Sequence, residues 1–295
     1  MTRLARYAWF VLLFNVGVIL VGAWVRATGS GAGCGRHWPS CQGEVIPKLE
    51  GATAVEFTHR AVSGVALGLV AVLVIWVYRS VPRGGQARVG ATVAAVSILG
   101  EALIGAAIVL AEWVADDASA ARAVAVPLHL VNTLLLLAAL ALTAFWLSGG
   151  RRLDWSGDPA LRRWVIAGGV ALVVLAATGA VTALADTLFP KGAATSREES
   201  FLTGLRVIHP LLAGFAASVG WLVWRRGEPR DPLVAVALPT LVGAMLVSGV
   251  LNVTLGVPVW MQLLHLLLAD GLWVVYVLAS ASAMQVRPAE AQVAA

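Results

Sequence analysis

The chain has 295 residues, of which 59% are hydrophobic and 13% charged, with a mean hydropathy of +0.85. That is too much apolar surface to fold away in water, which excludes a soluble enzyme. The net charge of +5 has no basic, aromatic-interleaved stripe behind it, so a nucleic-acid partner is excluded, and two cysteines cannot build a thiolate metal cluster or a disulfide scaffold.

A helix that crosses lipid needs about 20 mostly apolar residues. Eight such runs occur: 7–25, 61–78, 89–110, 123–147, 164–185, 207–224, 233–255 and 257–284. The chain therefore reads as an all-α polytopic membrane protein. Turns are marked by Pro82, Gly84 and Gly85, by Gly149 and Gly150, and by Gly227 and Pro229. The first run follows Arg3 and Arg6 like a secretory signal, but it is 19 residues long, ends in Arg26 and lacks a small-x-small cleavage site, so it reads as an uncleaved span.

With the N-terminus inside, 13 of the 21 basic residues fall on one side, from Arg3 and Arg6 through Arg79, Arg83, Arg151 and Arg152 to Arg230 and Arg287. Acidic residues, among them Glu44, Glu50, Asp116, Asp117, Glu198 and Glu199, occupy the opposite loops. The positive-inside rule then places both termini in the cytoplasm.

Shifting the chain by 150 residues lays His59-Arg-Ala-Val-Ser-Gly64 over His209-Pro-Leu-Leu-Ala-Gly214. His129 and His265 repeat at an offset of 136, a difference that loop lengths absorb. Four spans per half imply a parallel repeat: two pseudo-symmetric four-helix bundles, residues 1–150 and 151–295.

The four histidines fall near the outer ends of their spans, one pair per half. A lone histidine in a span reads as an interhelical hydrogen-bonder. Two matched pairs instead suit porphyrin irons held from both faces. Gly64, Gly68, Gly214 and Ser218 leave room for a flat macrocycle or a close helix. Arg60 and Arg206 stand where heme propionates would need cations.

Residues 27–57 form the longest connection, and long loops are usually functional. Cys34 and Cys41 in it are spaced for a short disulfide hairpin, either structural or redox-active. Glu56 precedes His59 by three residues and shares its face if the helix already runs there. The second half offers only Arg206 or Val207 at that place, so the halves differ in chemistry.

Val25-Arg-Ala-Thr-Gly-Ser-Gly-Ala-Gly-Cys34, Trp38-Pro-Ser-Cys41, Glu56-Phe-Thr-His59-Arg60, His129, His209 and the stretch Leu251 to His265 together resemble bacterial heme A synthase. The resemblance implies oxidation of the C8 methyl of heme O to a formyl group, by successive hydroxylations and loss of water. It implies His59 and His129 as ligands of the substrate heme, and His209 and His265 as iron ligands of a resident heme b. It implies a role for Glu56 in the oxidation and a disulfide between Cys34 and Cys41. Metal enters through heme iron only, and Arg26, Arg60 and Arg206 become heme-edge residues. Implied partners are heme O, the bilayer of the cell (inner) membrane, heme O synthase, an electron donor and a second copy of the chain, with the histidines on the periplasmic side.

Gly35-Arg-His37 departs from the family pattern, and His37 reads as a loop residue. Glu101 and Asp270 lie mid-span with no family role, which a proton path or a polar interhelical contact would explain. The rival reading is a bis-histidine b-type cytochrome acting only as an electron carrier, but its hemes belong near opposite membrane faces. A transporter lacks support because no span is visibly broken at mid-depth, and a heme prenyltransferase because no aspartate-rich diphosphate motif appears.

Overall fold

The computed structural model describes residues 1–189, 204–226 and 232–286. Arg230, Arg287, Glu198, Glu199, Gly227 and Pro229, used above for topology and turns, lie outside the described residues. Among the described residues, eight α-helices run α1 Arg3–Ala27, α2 Gly51–Ser80, α3 Gln86–Leu110, α4 Ala120–Leu147, α5 Pro159–Leu188, α6 Ile208–Arg226, α7 Pro232–Thr254 and α8 Val259–Ala283. Among the described residues, seven are long and apolar enough to cross a membrane, and α6 adds a shorter apolar stretch, Ile208–Ser218. The protein is a multi-pass membrane protein.

The helix starts follow local chemistry. Thr2 and Ser119 cap α1 and α4 by accepting the backbone N–H groups of Ala5 and Arg122, and Asp158 caps α5 with Pro159 in its first turn. One boundary differs from the sequence expectation. Helix α2 begins at Gly51, so the long connection is 28–50, and His59 sits about 12 Å inside the helix rather than at its start. The stretch 51–57 is too mixed in polarity to register as a span, yet it continues the same helix.

Helices α1 to α4 contact one another in ring order, with α4 closing back on α1, and α5 to α8 do the same. The buried core is concentrated in the first ring, around Leu12, Leu73, Leu137 and Leu140, and it takes in Trp273 from α8. The outward faces carry Leu13, Val96, Leu99 and Leu103, more than half exposed apart from lipid. Such faces cost nothing in a bilayer.

The rings meet where α1 and α4 pack against α5 and α8. Polar ties cross this seam. Trp273 Nε1 donates to the Leu134 carbonyl at 2.8 Å. Arg26, near the end of α1, donates through Nη1 to the Ala183 carbonyl and Thr187 Oγ1, both at 2.7 Å, and through Nη2 to Gln262 Oε1 at 2.9 Å. One guanidinium thus joins α1, α5 and α8. Hydrogen bonds from a charged donor are the strong kind. Arg26→Leu is expected to cost about 2 kcal/mol, read as a fall in the Tm of the detergent-solubilised protein; an unchanged Tm would show that the seam holds without this strap.

Candidate functional site

The loop and the N-terminal end of α2 are built around two glycines and one ion pair. Cys34 and Cys41 are disulfide-bonded, with Cα atoms 4.4 Å apart, and both are fully buried. Buried sulfurs exchange poorly with external thiols, which favours the structural role of the pair. After Cys41 the chain turns through Gln42 and Gly43, both at positive φ, and Cys41 and Glu44 exchange backbone hydrogen bonds at 2.9 Å. Gln42 holds this strained conformation by donating its side-chain amide to the Gly33 carbonyl and to Thr53 Oγ1. Gly33 itself lies so close to α2 that a Cβ would overlap the backbone of Ala52 and Thr53.

Glu56, only 3% exposed, fastens the loop from below. Its Oε2 accepts the Cys34 N–H at 2.8 Å, and its Oε1 accepts from Arg60, one turn on. Arg60 then donates Nη1 to the carbonyls of His37 and Ser40. His37 is a loop residue, exposed, touching the site through its backbone. Arg206 is likewise engaged by protein: it pairs with Asp186 at 2.8 Å and donates to the Ala185 and Phe189 carbonyls at the end of α5. The three arginines singled out as heme-edge residues therefore each have protein acceptors, on elements remote in sequence.

All four imidazoles are half-buried. His59 on α2 rests against Gly22 on α1, where a Cβ would come within 2.8 Å of its ring, and His209 on α6 rests the same way against Gly179 on α5, at 2.9 Å. A glycine seat on the preceding helix thus recurs in both halves. His59 lies within electrostatic range of His129 and Glu101, and His265 within range of His209.

The Nδ1 atoms of His209 and His265 are hydrogen-bonded by protein, and that of His129 lies beside a carboxylate without making a hydrogen bond. His209 Nδ1 lies 3.1 Å from the Leu175 carbonyl and 3.3 Å from Thr178 Oγ1. His265 Nδ1 meets Ser248 Oγ at 2.8 Å. His129 Nδ1 lies 3.0 Å from Glu101 Oε2. A histidine whose Nδ1–H is taken by the protein presents Nε2 as a lone-pair donor, the arrangement found in metal-ligating histidines. His59 Nδ1 is buried with no partner among the described residues.

Gly64, Gly68 and Gly214 have open space where a Cβ would point, and all three are exposed. Of the two uses expected for them, packing against a close helix is not seen among the described residues. The room for a flat ligand remains. Among the described residues, no three His, Cys, Asp or Glu side chains come together as a metal cluster.

Sequence reasoning missed Glu101 as a partner of His129, for the two lie on different helices with no local motif joining them. It also missed Arg122, 4% exposed, whose Nη1 fixes the α3–α4 connection through the Ala115 and Asp117 carbonyls. Asp270 is 1% exposed and its Oδ2 has no hydrogen-bond partner among the described residues, so that oxygen makes no polar interhelical contact there.

Comparison with known proteins gives a match to the COX15-CtaA family, described as cytochrome oxidase assembly protein, over residues 5–277. A Thermus thermophilus protein named protoheme IX farnesyltransferase is 49% identical over 297 residues, 96% of this chain and 49% of its own length. Heme A synthases of Lysinibacillus sphaericus and Bacillus licheniformis are 40% identical over 106 and 93 residues, which is 35% and 32% of this chain and 34% and 31% of theirs. The chain spans about half the length of the Thermus relative.

Proposed function

The chain belongs to the COX15-CtaA family of cytochrome oxidase assembly proteins, and from that premise we propose that it is a heme A synthase, oxidising the C8 methyl of heme O to a formyl group. The observation that carries the reading is that His209 and His265 each have Nδ1 bonded by protein, leaving Nε2 free, and that a glycine seat recurs against His59 and His209. In this reading the protein is a duplicated pair of four-helix bundles in the cell membrane, termini in the cytoplasm and histidines at the periplasmic end. Residues 1–150 receive heme O between His59 and His129, and residues 151–295 hold heme b between His209 and His265.

The C-terminal donor set fits heme b, which supplies one-electron storage beside the reacting site when bound. The chain's own residues do the rest. Gly179 and the Leu175 carbonyl fix the plane of His209, and Ser248 fixes that of His265. In the N-terminal half, the exposed glycine face of α2 opens the pocket toward lipid, from which a farnesylated heme arrives with its tail among acyl chains. Glu56 stands three residues before His59, where its carboxylate stabilises positive charge developing at the methyl carbon or takes the proton released there. The Cys34–Cys41 loop, held by Glu56 and Arg60, roofs this end of the helix.

The Thermus relative's name invites a second reading, prenyl transfer to heme b. Its length is about twice that of this chain, no aspartate-rich diphosphate motif occurs in these 295 residues, and heme A synthases match about a third of this chain. One assay separates the readings. Expressed beside a heme O producer, the chain is expected to yield hydroxylated and formyl hemes, identified by mass in extracted pigment. Unchanged heme O with two bound b hemes would make it an electron carrier, and heme O formed from heme b without that producer would make it a prenyltransferase.

A further inference from the structure

We propose that Glu101 is a positioning residue for the N-terminal site, drawing on the Nδ1–H of His129 so that the substrate iron has a lower reduction potential than the heme of the C-terminal half. The inference rests on the reading of His129 as a heme ligand, and it goes beyond the polar interhelical contact expected of this mid-span carboxylate.

The carboxylate is held in place from one side and turned toward the imidazole on the other. Asn132 Nδ2 donates to Oε1 at 2.6 Å, and Thr133 Oγ1 lies 3.1 Å from both oxygens. Asn132 is itself anchored on the Ser97 carbonyl at 2.8 Å and wedged against Gly100, where a Cβ would come within 2.9 Å of its Oδ1. Oε2 lies 3.0 Å from His129 Nδ1, out of line with the ring N–H, so a small ring rotation converts a close electrostatic pair into a hydrogen bond. A charged group inside a span is expensive, and an amide or hydroxyl would clasp two helices at less cost. The carboxylate is placed where its charge acts on the ring.

The other half supplies the comparison. Ser248, on the helix preceding that of His265, occupies the same relation to its histidine. Its hydroxyl donates to the Met245 carbonyl at 3.0 Å and so accepts from His265 Nδ1. His265 thus gives its Nδ1 proton to a neutral oxygen on the neighbouring helix, whereas His129 Nδ1 faces a carboxylate on its neighbouring helix without a hydrogen bond in this structure. A carboxylate acceptor makes the imidazole a stronger electron donor and favours ferric iron. His59, across the pocket, has no Nδ1 partner among the described residues, so Glu101 is the acceptor that sets the difference. Electrons withdrawn at the N-terminal site then run downhill to the C-terminal one.

The test is a potentiometric titration of the full detergent-purified chain loaded with heme O. The N-terminal signal is assigned as the component lost in His129→Ala. Glu101→Gln, similar in shape and neutral, is expected to raise the N-terminal midpoint by a tenfold change in the ferrous-to-ferric ratio, about 59 mV for one electron, leaving the C-terminal heme unmoved as the control for folding. Glu101→Asp, which keeps the charge, should give less than half that rise. An unshifted midpoint in Glu101→Gln, or an equal shift in both variants, overturns the proposal. If Glu101→Gln loses the C-terminal heme, Ser248→Asp carries the test: a lowered C-terminal midpoint is expected, and no change overturns it. Heme O bound with an unaltered spectrum in His129→Ala would instead overturn the ligand reading itself.

Discussion

Replacing Glu56 by Gln is expected to reduce conversion of heme O at least 100-fold while the C-terminal heme stays bound. The size is that of losing one group that moves a proton or faces developing charge. Glutamine keeps the shape and an acceptor for the Cys34 N–H, so the roof of the site should stay docked through the disulfide, the Gly33 contact and the Arg60 bonds to His37 and Ser40. What is lost is the charge. Product counted by mass and resident heme counted by its absorbance separate the two effects. Retained turnover in Glu56→Gln, combined with loss in Glu56→Ala, would make the residue a fastener of the loop and nothing more.

Gly179→Ala should release the resident heme, with its affinity falling at least tenfold, a size typical of disturbing the surroundings of a metal ligand. The new methyl would sit 2.9 Å from His209 Cε1 and 3.3 Å from Nδ1, closer than real side chains approach. The ring must swing away, and its bond to the Leu175 carbonyl goes with it. Gly22→Ala repeats the experiment at His59, where the approach is 2.8 Å. There the expected outcome is weaker uptake of heme O with the C-terminal heme untouched. Each effect should stay in its own half. Equal loss of both hemes from either variant would mean that the seats support the fold as a whole.

How far the sequence could be read follows from which forces act locally. Lipid demands long apolar runs, so the spans were legible within a few residues. Helix α2 was the exception because its first two turns lie under the loop and not in the hydrocarbon. The histidine pairs were expected from an internal repeat, which doubles a weak signal. The partners of the arginines were not legible. Arg26, Arg60 and Arg206 look like counter-ions for any anion near a histidine, but Arg26 finds its acceptors more than 150 residues along the chain, on helices whose packing no local pattern encodes. Glu101 makes the polar interhelical contact that was one of its two expected uses, with Asn132 and Thr133, but the sequence does not say which residues of the next helix would meet it.

The seam between the rings bears on how the two halves depend on each other. The segment joining α4 to α5, residues 148–158, runs over the surface, whereas the guanidinium of Arg26 and the indole of Trp273 knit α1 and α4 to α5 and α8 in the interior. A nick there would leave one particle, for the lobes are fastened by buried bonds that acyl chains could not replace.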